Sequence, residues 1–249
     1  MKKLTIVFLL LFVGGIQAQG ESLFDQGKER YRVEDYQGAI NNWIKIIEQG
    51  QHSAAVYHNL GNAHYKLNQI GPSIYYYEKA LQLAPGDSDV RNNLAFAQNA
   101  TVDAIEPLPE TVFSKWYKRI AGILSYDGWA TAAVILSLLA VILFLVYYFS
   151  FSERRKRLFF ATSLFTAALL LLAVFMAFRT YSDYITDTPA IIFAESIEVR
   201  SEPGMGNEVS FVLHEGTKVQ VIAEDEDWAR IRLADGKDGW IPETDIKRL

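Results

Sequence analysis

Residues 54–86 read AAVYHNLGNAHYKLNQIGPSIYYYEKALQLAPG, and their spacing repeats a pattern that stands 34 residues earlier. Gly27 aligns with Gly61, Tyr31 with Tyr65, Ala39 with Ser73, Ile40 with Ile74, and Trp43 with Tyr77. One period further on, Asn59, Leu60 and Gly61 meet Asn93, Leu94 and Ala95. A fixed period of this length marks a unit that stacks on copies of itself, because one copy cannot bury its apolar face alone. Gly61 and Ser73 are small where two antiparallel helices would cross, and Tyr77 is the bulk that fills the gap beside them. Pro85 stops the second helix because it has no N–H to donate. The first copy, over residues 20–49, is looser and lacks that proline, and only one helix of a third copy follows Ser88. Two and a half copies leave an open face. Cover for it is expected from the segment running to Leu124 or from a partner.

The residues Tyr57, Leu60, Gly61, Tyr65, Ser73, Tyr77, Ala80 and Pro85 resemble the tetratricopeptide repeat, and residues 20–106 are assigned to such a domain. The resemblance implies an all-α fold with a peptide groove along the first helix of each copy. By register that groove takes Phe24, Lys28, Tyr31 and Arg32 from the first copy. The second supplies His58, Asn59, Asn62, Tyr65 and Lys66. Some members grip a terminal carboxylate with a lysine and asparagine set. Asn59 matches it, but Phe24 and Asp89 stand where cations are required. Tyr31 and Tyr65 read equally as inter-helix core.

From Ala190 the pattern changes to short alternating runs at residues 197–200, 208–213, 218–223, 227–233 and 239–242, broken by Gly, Asp and Pro. Many short strands with tight turns argue for a small β-barrel. Val199, Val212, Val219, Val221 and Ile231 are expected inside. The order of signals, from Val199-Arg200-Ser201 to Asp238-Gly239-Trp240-Ile241-Pro242, resembles the bacterial SH3-like domain, assigned here to residues 188–249. Trp240 is expected in its core, whereas Trp228 is either core or a ligand platform of the kind that binds peptides or cell-wall material.

Three apolar blocks set the topology. Residues 1–19 open with two lysines, continue LTIVFLLLFV and exit through small residues, as a secretory signal peptide does, with cleavage expected after Ala18. Residues 129–149 and 158–178 contain no charge, and each is long enough to span a bilayer. Transmembrane helices are assigned to 127–150 and 158–179. The loop at 151–157 carries Arg154, Arg155, Lys156 and Arg157, which the positive-inside rule holds in the cytoplasm. Both flanking modules then lie on the exported face of a bacterial inner membrane. Residues 107–126 read as a Pro-containing linker and a helix on the membrane surface, with Trp116, Tyr117, Ile120 and Leu124 among Lys115, Lys118 and Arg119.

The chain has no cysteine, which removes thiol, disulfide and zinc-cluster chemistry. Residues 188–249 hold thirteen Asp/Glu against seven Lys/Arg, and residues 20–110 hold twelve against seven, so no nucleic-acid partner is expected. His58 and His64 stand six apart, off a shared helix face. The run Glu224-Asp225-Glu226-Asp227 lacks the glycine and spaced ligands of a calcium loop and reads as a hairpin turn. No metal, cofactor or catalytic site is expected, and the chain reads as a non-enzyme.

Signal peptide, repeats, two spans and a terminal SH3-like domain, in that order, resemble the E-protein family of the Bacteroides aerotolerance (Bat) operon. That resemblance implies a multi-domain membrane scaffold in an envelope or oxidative-stress complex, with von Willebrand-type Bat membrane proteins as partners. The alternative is a peptidoglycan sensor acting through the SH3-like domain.

Overall fold

A computed structural model describes residues 22–249, and the signal-peptide reading lies outside them. The all-α repeat, the two-helix apolar hairpin and the all-β module are all present, and the described residues divide into two compact units. One unit joins residues 22–108 to 189–249, and the other is 109–188.

The first unit begins with α1, helical over residues 22–32, then α2 (Tyr36–Glu48), α3 (Ala54–Lys66), α4 (Ile70–Leu83) and α5 (Ser88–Gln98). Asp35, Ser53 and Asp87 cap α2, α3 and α5 by accepting backbone N–H bonds, which satisfies donors that the first turn leaves unpaired. The 34-residue period is physical. Glu34 and Asn68 both adopt positive φ in the turn between paired helices. A Cβ on Gly27 would sit 2.3 Å from the Trp43 ring, and one on Gly61 would sit 2.5 Å from the Tyr77 ring. Glycine is required at both crossings by the aromatic pressed against it. Ser73 is buried and donates its hydroxyl to the Gly61 carbonyl at 2.9 Å.

No second helix follows α5 in its repeat; residues 102–111 are irregular. The cover comes from the β-module instead. Strand β1 (Pro189–Ile192) places the fully buried Ile191 in the same apolar cluster as Trp43, Leu60, Ile74 and Tyr77. Phe193 packs edge-on to Tyr75 at 5.7 Å, and Lys247 sits 4.7 Å over the Tyr75 ring. Gly71 N–H donates to Glu215 at 2.9 Å, and Lys218 pairs with Glu78 at 2.8 Å. Gly216, at φ 87°, could carry no side chain without meeting Thr101 and Ile74. Repeats and barrel are therefore one folded body with a shared core.

The remaining strands are β2 (Ser196–Arg200), β3 (Val209–His214), β4 (Lys218–Asp225), β5 (Trp228–Arg232), β6 (Asp238–Pro242) and β7 (Ile246–Arg248), in the sheet order β3-β2-β6-β5-β4-β1-β7. Every pairing is antiparallel. Val199, Val219, Val221 and Ile231 are interior, as expected. Val212 is not. It is 44% exposed and Leu213 is buried in its place, because β3 faces the core with Phe211 and Leu213. One step in register turns every side chain of a strand to the other face. Trp240 also departs from expectation. Gly239 and Ile241 are the buried residues of β6, so the intervening Trp240 stands on the outer face, half-buried. The acidic run is exposed and spans the end of β4 and the β4–β5 turn, with Glu226 of the turn at positive φ.

The second unit contains α6 (Val112–Ala121), α7 (Tyr126–Phe149) and α8 (Glu153–Thr186). α7 and α8 are both long and apolar enough to cross a membrane. The basic residues 154–157 fall in the first turns of α8, within the segment read as a loop. With 34 residues, α8 is about 51 Å long and outruns its own apolar stretch. Ser137, Thr162 and Thr166 donate to carbonyls of their own helices, so these hydroxyls do not link the two helices.

Candidate functional site

The first helices of the three copies, α1, α3 and α5, bring Tyr31, Asn62, Tyr65, Lys66, Asn93 and Phe96 around one cavity of about 460 Å³, with Tyr77 of α4 also in its lining. That volume is in the range of a ligand-sized cleft. A polar line runs through it. Tyr77 donates to Asn62 Oδ1 at 2.7 Å, and Asn93 Nδ2 donates to the same oxygen at 2.9 Å. Asn93 Nδ2 also lies 2.9 Å from His58 Nε2. Burial lowers the His58 pKa against the opposing pull of Asp87 and Asp89. The neutral ring is therefore favoured, and its Nε2 can accept from the amide. Burial likewise raises the Tyr77 phenol, which stays protonated as a donor.

Apolar surface flanks this line. Tyr65 is 39% exposed and Phe96 64%, while Tyr31 is partly buried, packed edge-on to Tyr36 at 5.1 Å and tilted against Trp43. Tyr31 both packs against the repeat core and lines the cavity. Lys66 is exposed and forms no ion pair among the described residues. The arrangement offers amide groups to a peptide backbone, aromatic surface to a side chain and one cation to an acidic group.

Four of the sequence-derived groove positions meet here: Tyr31, Asn62, Tyr65 and Lys66. His58 is linked to them through Asn93 without lining the cavity. Lys28 pairs with Asp25 at 3.3 Å and lies 5.5 Å from the centre of the Phe24 ring, Arg32 pairs with Glu29 at 3.1 Å, and none of these lines it. Asn59 is also outside the lining. Asn93 and Phe96 also line the cavity; they stand one period after Asn59 and Asn62, in a third copy whose single helix does not by itself mark a groove in the sequence. Tyr77 fills the space beside Gly61, and its hydroxyl also reaches the polar line.

On the barrel, Trp228 is half-buried on the outer face of β5, opposite Pro242 of β6. Trp240 lies beside it on that face, cross-strand from Arg230 on one side and Arg200 on the other. Both cations are already engaged. Arg230 pairs with Asp238 at 2.6 Å, and Arg200 pairs with Glu198 and donates to the Asn207 carbonyl at 2.6 Å. Among the described residues no group of three or more His, Cys, Asp or Glu could hold a metal ion.

Comparison with known proteins assigns both modules. Residues 54–87 match the tetratricopeptide repeat family. Residues 195–247 match the bacterial SH3 domain family. Both are binding modules. Over 52 residues the chain is 33% identical to a Bacillus subtilis (strain 168) protein titled "Putative N-acetylmuramoyl-L-alanine amidase YrvJ". The match spans 21% of this chain and only 10% of that relative. Among solved structures, the C-terminal SH3 domain of myosin IB from Entamoeba histolytica aligns at 22% identity and TM-score 0.16, over 22% of this chain and 90% of that domain.

Proposed function

We propose that the chain is a non-catalytic, membrane-anchored scaffold whose repeat groove holds an extended segment of a partner protein. The observation that carries this reading is the Tyr31–Asn62–Tyr65–Lys66–Asn93–Phe96 cavity, with its exposed lysine and its line of amides. The α7–α8 hairpin is the anchor in an inner membrane, and the basic turn at 154–157 stays in the cytoplasm while repeats and barrel face the periplasm. The order of modules supports an envelope or oxidative-stress complex, with a von Willebrand-type Bat membrane protein in the groove. A photo-crosslinking residue at position 96, used in intact membranes, is expected to capture a membrane protein. Lys66→Glu and Tyr65→Ala should each reduce the adduct. An adduct that both variants leave unchanged contradicts the groove assignment.

A second reading rests on the barrel, because the 52-residue likeness is to a protein whose title names a cell-wall amidase. Here Trp228 is a platform for a peptidoglycan ligand. Sedimentation of the solubilised full chain with purified sacculi tests it, and Trp228→Ala should abolish retention. Absence of retention by the unmodified chain discards this reading.

A further inference from the structure

α6 presents three groups of side chains, the first of them packed against the hairpin. Tyr117, Ile120 and Ala121 pack against Trp129 of α7 and Ala173 and Met176 of α8. Tyr117 donates to the Asp183 carboxylate, which also pairs with Arg179 at 3.2 Å, and the Arg179 guanidinium lies 5.6 Å over the Tyr117 ring. α6 is thereby fixed to the hairpin. The second, at the start of the helix, is apolar and uncovered: Val112, Phe113 and Trp116 are 73%, 84% and 63% exposed. The third is cationic. Lys118 is taken by Glu110, whereas Lys115 and Arg119 are exposed with no carboxylate partner among the described residues.

The occupant of the apolar sector follows from where α6 is held. Trp129 is the fourth residue of α7, and Arg179 is the first charge after the apolar stretch of α8. Docking at these residues places α6 at the level where the hydrocarbon core ends. A helix at that depth has acyl chains beside it, and Lys and Arg stems reach outward from it to the phosphates. Three large apolar side chains next to two exposed cations fit a bilayer surface better than water.

We propose that α6 is a lipid-surface helix that seats Val112, Phe113 and Trp116 among acyl chains and holds acidic lipid headgroups through Lys115 and Arg119. This rests on the reading that α7 and α8 span the membrane. The chain has no cysteine of its own, so a single nitroxide label can be placed at any chosen cysteine of the full-length protein. Labels at Phe113→Cys, Trp116→Cys and, as a control for the span, Leu171→Cys are read in vesicles of phosphatidylcholine alone and with added phosphatidylglycerol. All three should be open to oxygen and shielded from a water-soluble nickel chelate. Shielding at 113 and 116 should increase with phosphatidylglycerol, and Lys115→Glu with Arg119→Glu should remove that increase. Labels at 113 and 116 open to the chelate, with 171 shielded, overturn the proposal and leave the hairpin standing. Exclusion of both reagents at 113 and 116 means a protein contact and also overturns it. Equal shielding in the two lipids overturns the acidic-headgroup assignment. A label at 171 open to the chelate contradicts the membrane reading itself.

Discussion

Asp103 shows how one side chain can join two modules. Its carboxylate accepts from the His214 backbone N–H at 2.7 Å, from His214 Nδ1 at 2.8 Å and from the Thr217 hydroxyl at 2.6 Å. Burial pushes its pKa up, but the bonds from Thr217 and His214 outweigh this and hold it below the ordinary carboxylate range. A depressed folded pKa means the unfolded chain binds the proton more readily, so the stabilisation is present above about pH 4 and is lost as pH falls through the folded value. Asp103→Ala leaves three donors without an acceptor and should cost about 1–3 kcal/mol, read by chemical denaturation near neutral pH. The same variant should flatten the acid limb of a stability–pH profile, and an unchanged limb contradicts the assignment. Nothing in the sequence marked this residue, since its partners lie more than a hundred positions away. Val212 and Trp240 were misread for a different reason. Alternation fixes which residues share a face, but only the sheet decides which face is inside.

At the scale of elements, the helices of the second repeat copy and strands β2 to β6 were legible because the 34-residue period and the two-residue alternation both show in the sequence. Strand β1 was not. Its residues 190–192 are all buried, Ile191 in the repeat core and Ile192 in the barrel core, so no alternation appears. A strand buried on both faces reads as a plain apolar run, and here that run carries the join between modules. Ile191→Asp places a charge in the shared core, where an unpaired carboxylate is costly. Hydrogen exchange on the full chain should then show lost protection in α3 and α4 as well as in β1 and β4. Loss confined to the barrel strands would contradict a shared core. The groove was half legible for a similar reason: two copies align openly, while the third supplies only α5, and with it Asn93 and Phe96.

For the whole molecule, the scaffold reading requires the fused repeat–barrel body and the basic turn at the start of α8 to lie on opposite sides of one bilayer. The sequence supports this through charge placement, and the structure contributes two helices of sufficient length and apolarity. Because the chain is free of cysteine, single cysteines report side directly. Gln98, Ser152 and Lys237 are all exposed and suit the purpose. A membrane-impermeant maleimide applied to sealed spheroplasts should label Gln98→Cys and Lys237→Cys at once, and Ser152→Cys only after permeabilisation. Labelling of Ser152→Cys in sealed spheroplasts, with the other two protected until lysis, would contradict the account.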